Sequence, residues 1–377
     1  MLGRLLAALT GRRELREAPD GSHEKPIAQL RAEAAVAAER GRHAEVIALL
    51  ERAVSRAGAS ADLLLDLGIA HSRAGDYERA HAAYCAALEL RPGFPVALDA
   101  QLGAAFARTR LDPRPASAQE PELPPPPRDR LVSVVVCSID RGKFERVVAD
   151  FHDRLDSVPH EIVGIHDARS LCEGYNRGLA QSRGDIVVFS HDDIRIVSPD
   201  FAAKLFASLE RCDIVGVAGT TRLRCAEWNR SGWPHLAGQV MHLQPGIGWV
   251  VSVYGLHDRL VAGAQALDGL FFAVRREVLG RLQFDEATFD GWHFYDADFT
   301  YSAFQAGLRL GIRTDLLLRH DSRGRFDESY RRYAARFLRK HGAQLAGEDG
   351  GVDPQRRGLP VASEEDWILL TRHAYAA

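Results

Sequence analysis

The stretch from Gly184 to Ile194, GDIVVFSHDDI, joins a short apolar run to two adjacent carboxylates. Residues 186–189 are continuously apolar, which is typical of a strand buried on both faces in a parallel sheet. In open α/β sheets ligands bind at the carboxyl ends of the strands, and Asp192 and Asp193 follow this strand directly. Paired carboxylates at such a place favour a divalent cation. A solvated turn is the alternative, because aspartate is common in turns.

Composition narrows the class of protein. The chain of 377 residues, 46% of them hydrophobic, is long enough for two or three domains with a sizeable core. Its formal net charge of -3 gives no basic surface that would favour nucleic acid as a partner. The 5 cysteines form no CxxC pair, which indicates a reducing compartment. No apolar run approaches the roughly 20 residues that cross a bilayer. We therefore expect a cytoplasmic protein with at most peripheral contact at the inner membrane face.

The first part of the chain predicts helices arranged in repeats. Residues 27–110 are rich in alanine, leucine and arginine, a composition that favours helix. Leu64, Gly68, Tyr84 and Pro92 follow the spacing of a tetratricopeptide repeat, whose period is about 34 residues. We expect two such repeats, with Tyr84 packed in their core. Stacked repeats present a concave surface that suits a protein partner, and a dimerisation or spacer role is the alternative.

A proline-rich linker precedes a second part in which strands alternate with helices. This order predicts a parallel sheet with crossover helices. Neither GxGxxG nor GxxxxGK[ST] follows the first strand, so the dinucleotide and P-loop fingerprints are absent. Residues 222–266 are expected to form a long loop with short strands. The predicted domains are a tail or short helix at 1–26, helical repeats at 27–110, a linker at 111–130, an α/β domain at 131–341 and an extension at 342–377.

Five features of the second part carry a resemblance when taken in order. They are VSVVVCSID at 132–140, YNRGLAQSRGDIVVFSHDDI at 175–194, DGLFFAVRR at 268–276, FDGWHFYDADFTYSAFQAGL at 289–308, and a last strand that ends at His320. Together they resemble family 2 glycosyltransferases of the GT-A fold, in a bacterial branch of glycosyltransferase-like proteins. The resemblance covers roughly residues 131–341. It implies an α/β fold with a Rossmann-like, mostly parallel sheet and flanking helices, preceded here by the all-helical part.

The resemblance implies roles for individual residues. Asp193 and His320 would hold a divalent metal, Mn²⁺ or Mg²⁺, on the diphosphate of a nucleotide-sugar donor. Asp296 would be the general base that takes a proton from the acceptor, a glycan or a protein. Contacts with the donor would come from Ser138, Asp140, Asp167, Asn176, Asp192, Asp268 and Arg323.

Two residues depart from the family pattern. His191 stands where the first aspartate of the metal-binding motif is usual, and imidazole favours softer metals than Mg²⁺. Tyr295 stands where a glutamate would precede Asp296. These departures support an alternative, a catalytically inactive glycosyltransferase-like scaffold that acts through its helical repeats. Asp296 and Asp298 are two residues apart on a predicted helix and point in different directions, so at most one of them is expected to face a cleft.

The expected reaction is a single displacement. A metal held by carboxylates offsets the charge that builds on the departing diphosphate, and a carboxylate on the opposite face accepts the proton. Such a displacement inverts the anomeric centre. A nucleotidyltransferase also uses acidic metal ligands, but the missing phosphate-binding glycine loop and the acidic pair of Asp296 and Asp298 argue against it.

Overall fold

The computed structural model forms two compact units. One comprises Met1–Glu120 with Leu369–Ala377, and the other comprises Pro121–Ile368. The predicted tail falls almost entirely outside the described residues, as does the middle of the predicted linker. The described residues are 25–93, 95–112, 122–322, 327–345 and 353–376.

The first unit contains the predicted helices. Tyr84 and His71 are buried at 4% and 0% exposure, which confirms the expected packing role of Tyr84. A Cβ at Gly68 would lie 2.7 Å from the Tyr84 ring, so glycine is required where this ring packs. The tetratricopeptide assignment and a protein partner on these helices remain predictions. The helices are Ile27–Glu39 (α1), His43–Ala57 (α2), Ala61–Arg73 (α3), Tyr77–Leu90 (α4) and Val96–Leu111 (α5).

The second unit has the predicted α/β class, built on two mixed sheets. In the first sheet the strand order is β2-β1-β3-β11-β5-β12-β9. β1 pairs in parallel with β2 and β3, and β5 pairs in parallel with β12, while β11 is antiparallel to β3 and β5. The strands are Val132–Cys137 (β1), His160–Ile165 (β2), Ile186–Ser190 (β3), Ile214–Gly216 (β5), Leu260–Ala262 (β9), Phe271–Arg275 (β11) and Leu310–Arg313 (β12).

A second sheet corrects the expectation for residues 222–266. A long hairpin replaces the predicted loop, with β7 at Leu236–Gln244 and β8 at Gly248–Gly255. The hairpin residues are buried on both sheet faces over much of their length, so their sequence lacks the alternation that identifies a half-exposed strand. The other strands here are Ile194–Ile196 (β4), Ala218–Thr220 (β6), Ala266–Leu267 (β10), Leu318–His320 (β13) and Arg357–Pro360 (β14).

Helices pack against the sheets around a core that contains stacked aromatic rings. The centres of the Phe284 and Phe299 rings are 4.2 Å apart, and Phe189 of β3 contacts Phe284 at 5.0 Å. None of the helices within the described residues combines the length and apolarity that a membrane crossing needs. The cytoplasmic location stays a prediction. The helices are Arg141–Arg154 (α6), Leu171–Gln181 (α7), Phe201–Arg211 (α8), Arg276–Leu279 (α9), Tyr295–Gln305 (α10), Glu328–His341 (α11) and Glu364–Ala374 (α12).

Candidate active site

The turn after β3 is fixed by backbone hydrogen bonds from two other elements. The amide of His191 donates to the carbonyl of Leu270 at 3.0 Å, and the amide of Asp321 donates to the carbonyl of Asp193 at 2.9 Å. β13 runs antiparallel to β4, with His320 opposite Ile194. These contacts bring the acidic turn beside the last residue of β13.

His191, Asp193 and His320 form a cluster of possible cation ligands. Their ligand atoms all lie within 4.8 Å of one another. His320 Nε2 is 3.2 Å from Asp193 Oδ1 and 3.4 Å from His191 Nδ1. The sequence predicted Asp193 and His320 for this role, whereas His191 was treated only as a departure. The structure therefore adds a third side chain to the predicted pair.

Tyr295 fixes the protonation pattern of His191. Its hydroxyl donates to the carbonyl of Gly269 at 2.9 Å, so it must accept a hydrogen bond from His191 Nε2, which lies 2.7 Å away. Burial, together with the charge of His320, lowers the pKa of His191 to about 4. The imidazole is then neutral at physiological pH and keeps the lone pair of Nδ1 on the side of Asp193 and His320. This second hydrogen bond is the arrangement typical of metal-binding histidines.

The donor set fits a divalent cation. Burial alone would raise the pKa of Asp193, but its hydrogen bond with His320 and the charges of His320 and Lys143 together hold the pKa well below its usual range. The carboxylate is therefore ionised. Asp193 and His320 now share a proton in their hydrogen bond. A cation bound between them would take the place of that proton. Two imidazoles and one carboxylate favour Mn²⁺ or a later transition metal over Mg²⁺.

Asp192 shares the neighbour Lys143 with Asp193 but also contacts Ser138. Ser138 at the end of β1 donates to Asp192 Oδ2 at 2.6 Å, so these two predicted donor-binding residues lie together. Lys143 Nζ lies 3.9 Å from Asp192 Oδ1 and 3.6 Å from Asp193 Oδ2. The sequence analysis missed Lys143, although its position in the first turn after β1 could have drawn attention to it. Asp140, whose donor contact stays a prediction, caps α6 by accepting from the amide of Lys143 at 2.9 Å.

Asp296 lies at the start of α10 and is only partly buried. Burial, together with the negative charge of Asp268, raises the pKa of Asp296 to about 7. The preceding Phe294 has a left-handed backbone with φ of 63°, a rare conformation for a large side chain that marks the helix start as constrained. A Cβ at Gly269 would lie 2.7 Å from the Cβ of Asp296, so the DG turn must carry glycine for Asp296 to occupy this place.

Asp298 points away from Asp296, as the sequence predicted for one of the two. It is 2% exposed and lies 2.7 Å from His341 Nε2 and 2.8 Å from Lys340 Nζ. These contacts are a buried ion pair between α10 and α11. Asp298 therefore has a structural role, and Asp296 is the carboxylate of this helix turn that is accessible.

A cavity of about 530 Å³ connects the cluster with Asp296. The cavity is lined by His191, His320, Asp268 and Asp296. Asp193 lies behind this wall, beside the two histidines. Several wall residues come from the segment 222–266, where a long loop was expected, among them Trp228 and His242. Aromatic rings form much of the remaining wall, namely Trp228, Tyr254, Trp292, His293, Phe294 and Tyr330.

Two predicted donor contacts, Asn176 and Asp167, have partners of their own within the chain. Asn176 donates to the carbonyl of Phe284 at 2.9 Å and accepts from its amide at 3.1 Å, which occupies both ends of the side chain and fixes a loop. Asp167 is 80% exposed and pairs with Arg177 Nη2 at 2.5 Å. This hydrogen bond and the charge of Arg177 lower the pKa of Asp167. Arg323 lies outside the described residues. The donor contacts of Asn176, Asp167 and Arg323 stay predictions.

Comparison with known proteins gives one family and several distant structures. A profile described as the glycosyltransferase-like family matches residues 133–341. No curated protein sequence matches the chain. A mannosyltransferase from Pyrobaculum calidifontis in complex with GDP-Man and Mn²⁺ is 17% identical, over 83% of this chain and 81% of that one, with a TM-score of 0.38. GalNAc-T7 with UDP, GalNAc and Mn²⁺ is 10% identical, over 55% of this chain and 47% of that one, with a TM-score of 0.35.

The structural likenesses are too weak to carry an argument about activity. The family match, by contrast, extends over more than half of the chain and includes every element around the cavity except the C-terminal strand. The matched residues 133–341 also agree with the α/β domain that the sequence motifs predicted at 131–341. The chain belongs to the glycosyltransferase-like family.

Proposed function

We propose that this protein is an inverting glycosyltransferase. It would move a sugar from a nucleoside-diphosphate-sugar donor to a hydroxyl group of a glycan or a protein, with a divalent metal ion bound. The observation that carries the proposal is that cation ligands and a carboxylate with a raised pKa line one cavity. His191 and His320 are the ligands on its wall, and Asp296 is the carboxylate.

The metal end of the cavity prepares the departure of the diphosphate. A cation held by His191, Asp193 and His320 would offset the negative charge that develops on the leaving group. Lys143 adds a positive charge 3.6 Å from Asp193 Oδ2, on the side where Asp192 also lies. The positive charge of Lys143 thus offsets part of the negative charge of Asp192 and Asp193 when no donor is bound.

Asp296 is suited to accept the proton of the acceptor. A base works best when its pKa lies near the working pH, and the pKa of Asp296 is raised to about 7. The acceptor oxygen forms its bond to the anomeric carbon while the bond from that carbon to the diphosphate oxygen breaks. The acceptor proton passes to the Asp296 carboxylate, and the nucleoside diphosphate leaves with the bonding electrons. One displacement of this kind inverts the anomeric centre.

The aromatic wall favours a sugar as the acceptor. Trp292 lines the cavity with 50% of its surface exposed, only four residues before Asp296. An exposed indole on a cavity wall offers an apolar face against which a sugar ring can stack. Trp228 lines the same cavity, where the Tyr330 hydroxyl donates to Glu227 Oε1 at 3.2 Å. These groups favour a glycan over an extended peptide.

The two departures from the family pattern are coupled, which favours an active enzyme over an inert scaffold. Tyr295 replaces a glutamate and His191 replaces an aspartate, yet the first accepts a hydrogen bond from the second at 2.7 Å. If the site were unused, the two positions would change independently, and no hydrogen bond between the new side chains would be expected. The pair keeps the Nδ1 lone pair of His191 directed at the cation ligands.

Thermal denaturation with a panel of nucleotide sugars, in Mn²⁺ or in EDTA, tests the proposal. A specific donor should raise the melting temperature in Mn²⁺ and much less in EDTA, because a ligand that binds only the native state stabilises it. Asp193→Ala should abolish the part that depends on the metal. Asp321→Ala is a matched control, since its carboxylate pairs with Arg319 at 3.0 Å. If no nucleotide sugar stabilises the protein, the inert scaffold is the better account.

A further inference from the structure

The C-terminal segment adds a wall to the cavity. β14 lies outside residues 133–341, which match the family profile. It pairs in antiparallel register with β8, whose residues line the cavity. Through this pairing Arg356 and Gly358 also line the cavity. Residues of the segment 342–377, for which the sequence predicted only an extension, therefore form part of the cavity wall.

Two neighbouring arginines of this segment have different surroundings. Arg356 lines the cavity, as Gly358 does two residues later. Arg357 instead places its guanidinium carbon 4.6 Å from the centre of the Trp233 ring. Alternate residues of an extended chain point to opposite faces, which accounts for the difference. The chain thus contains a matched control for Arg356, the same residue type one position away.

Arg356 gives the cavity wall its positive charge. Among the lining residues in the part of the chain that the structure describes, Arg356 is the one lysine or arginine. On the same wall its charge acts on the buried hydroxyl of Tyr254. A guanidinium has five donors and no acceptor, which suits an anionic ligand. The carboxylates on the same wall are Glu227, Asp268 and Asp296.

Arg356 shares the cavity with the cation ligands. His242 of β7 stands opposite His320 of β13 in the sheet register, and their ring centres are 5.7 Å apart. His191, His242, His320 and Arg356 all line the cavity, so the guanidinium faces the same space as the cation ligands. A guanidinium near a metal centre is an environment that suits a diphosphate.

We propose that Arg356 binds the diphosphate of the nucleotide-sugar donor through its guanidinium, beside the cation ligands His191, Asp193 and His320. The inference rests on the proposed function. The neutral hydroxyl of an acceptor, next to Asp296, would gain little from a full positive charge, whereas paired N–H groups match the oxygens of a phosphate. The donor site of this protein thus extends beyond the family-matched segment and needs the strand that follows it.

Isothermal titration with UDP, GDP and inorganic pyrophosphate tests this role without any turnover. Arg356→Ala should weaken the binding of pyrophosphate and of the preferred nucleotide by about 10- to 100-fold, the usual range for a charge-assisted contact. Arg357→Ala should leave both affinities unchanged. The loss in Arg356→Ala should have the same factor in EDTA as in Mn²⁺, because it comes from the side chain and not from the metal.

The outcomes separate this inference from the proposed function. If the wild type binds a nucleotide and Arg356→Ala binds it equally well, or if Arg357→Ala is weakened as much, the role of Arg356 is overturned while the glycosyltransferase proposal stands. If the wild type binds neither nucleotide nor pyrophosphate, both are overturned. Arg356→Lys keeps the charge without the planar fork and should show a smaller loss. This second variant decides the matter if the alanine variant melts at a lower temperature.

Discussion

Asp296→Asn should inactivate the protein and, at the same time, stabilise it above neutral pH. Burial and the negative charge of Asp268 raise the pKa of Asp296 to about 7 from an ordinary value of 3.8. The native state therefore holds a proton at this carboxyl more tightly than the unfolded chain does. Between the two pKa values unfolding releases a proton, so the free energy of unfolding falls as pH rises. Because asparagine does not ionise, the variant does not lose this part of the free energy of unfolding as pH rises.

The size of the gain follows from the pKa difference. At about 1.36 kcal/mol for each pH unit, the raised pKa corresponds to about 4 kcal/mol at pH values well above 7. Asp296 is only partly buried, and water in the cavity screens its charge, so we expect about half of that value, roughly 2 kcal/mol. Asparagine has nearly the same volume and keeps an oxygen that can accept from the backbone of Gly269, so little packing is lost.

Asp298→Asn provides the opposite result as a control. Asp298 lies in the same helix turn, but it is buried against Lys340 and His341 at 2.8 and 2.7 Å. Removing its charge weakens both contacts and leaves His341 without its carboxylate partner in the interior, although Lys340 keeps its ion pair with Asp285 at 2.7 Å, and should destabilise the protein by about 3 kcal/mol. The two substitutions remove the same charge, so a general charge effect cannot produce opposite signs.

Chemical denaturation followed by tryptophan fluorescence measures both variants. All 5 tryptophans lie in the unit Pro121–Ile368, so the signal reports on the unit that contains Asp296. Experiments in EDTA at about pH 5 and about pH 8 cover the window in which Asp296 titrates. The reasoning is refuted if the stability difference between Asp296→Asn and the wild type is the same at both pH values, or if the variant is the less stable protein at the higher pH.

Four further predictions concern the same cavity. Tyr295→Phe removes the acceptor for His191 Nε2 and should weaken Mn²⁺ binding, measured calorimetrically, by about 10- to 100-fold, and equal affinity would contradict the positioning role. Trp292→Ala should raise the KM for a glycan acceptor about tenfold in initial-rate assays and leave nucleotide affinity unchanged, whereas an unchanged KM excludes stacking. Gly269→Ala should abolish transfer without unfolding the chain, because the new Cβ would lie 2.7 Å from the Cβ of Asp296, and retained turnover would contradict this. The rate of transfer should rise as pH increases through about 7, the pKa of Asp296, and a flat pH profile of kcat/KM would exclude this group as the base.

The α/β core could be predicted because its signals are local. Residues 186–189 form a continuous apolar run, and the polar turn that follows marks the carboxyl end of a strand. The direction of Asp296 relative to Asp298 followed from helix geometry alone. The hairpin of β7 and β8 could not be predicted in the same way. Its burial depends on pairing with β13 and β14, which lie far along the chain from the hairpin.

The sequence could predict the surroundings of a site residue only where they depend on residues near it in the chain. The resemblance implied metal roles for Asp193 and His320, and the acidic turn after an apolar strand supported the role of Asp193. The contact of His191 with the hydroxyl of Tyr295 spans 104 residues, and no pattern in the sequence joins the two. The contact of Asn176 with Phe284 spans 108 residues and could not be predicted for the same reason. Pairings of this kind are tertiary and only the folded chain reveals them.

Release of nucleoside diphosphate from the donor that binds most tightly tests the central claim most directly. The claim is that a cation held by His191, Asp193 and His320 and a proton-accepting Asp296 serve one reaction in one cavity. We predict that release in the presence of an acceptor needs Mn²⁺, stops in EDTA, and is lost in Asp193→Ala and in Asp296→Asn, while Asp296→Asn still binds the nucleotide. Release that continues in EDTA, or at the wild-type rate in Asp296→Asn, would contradict the claim.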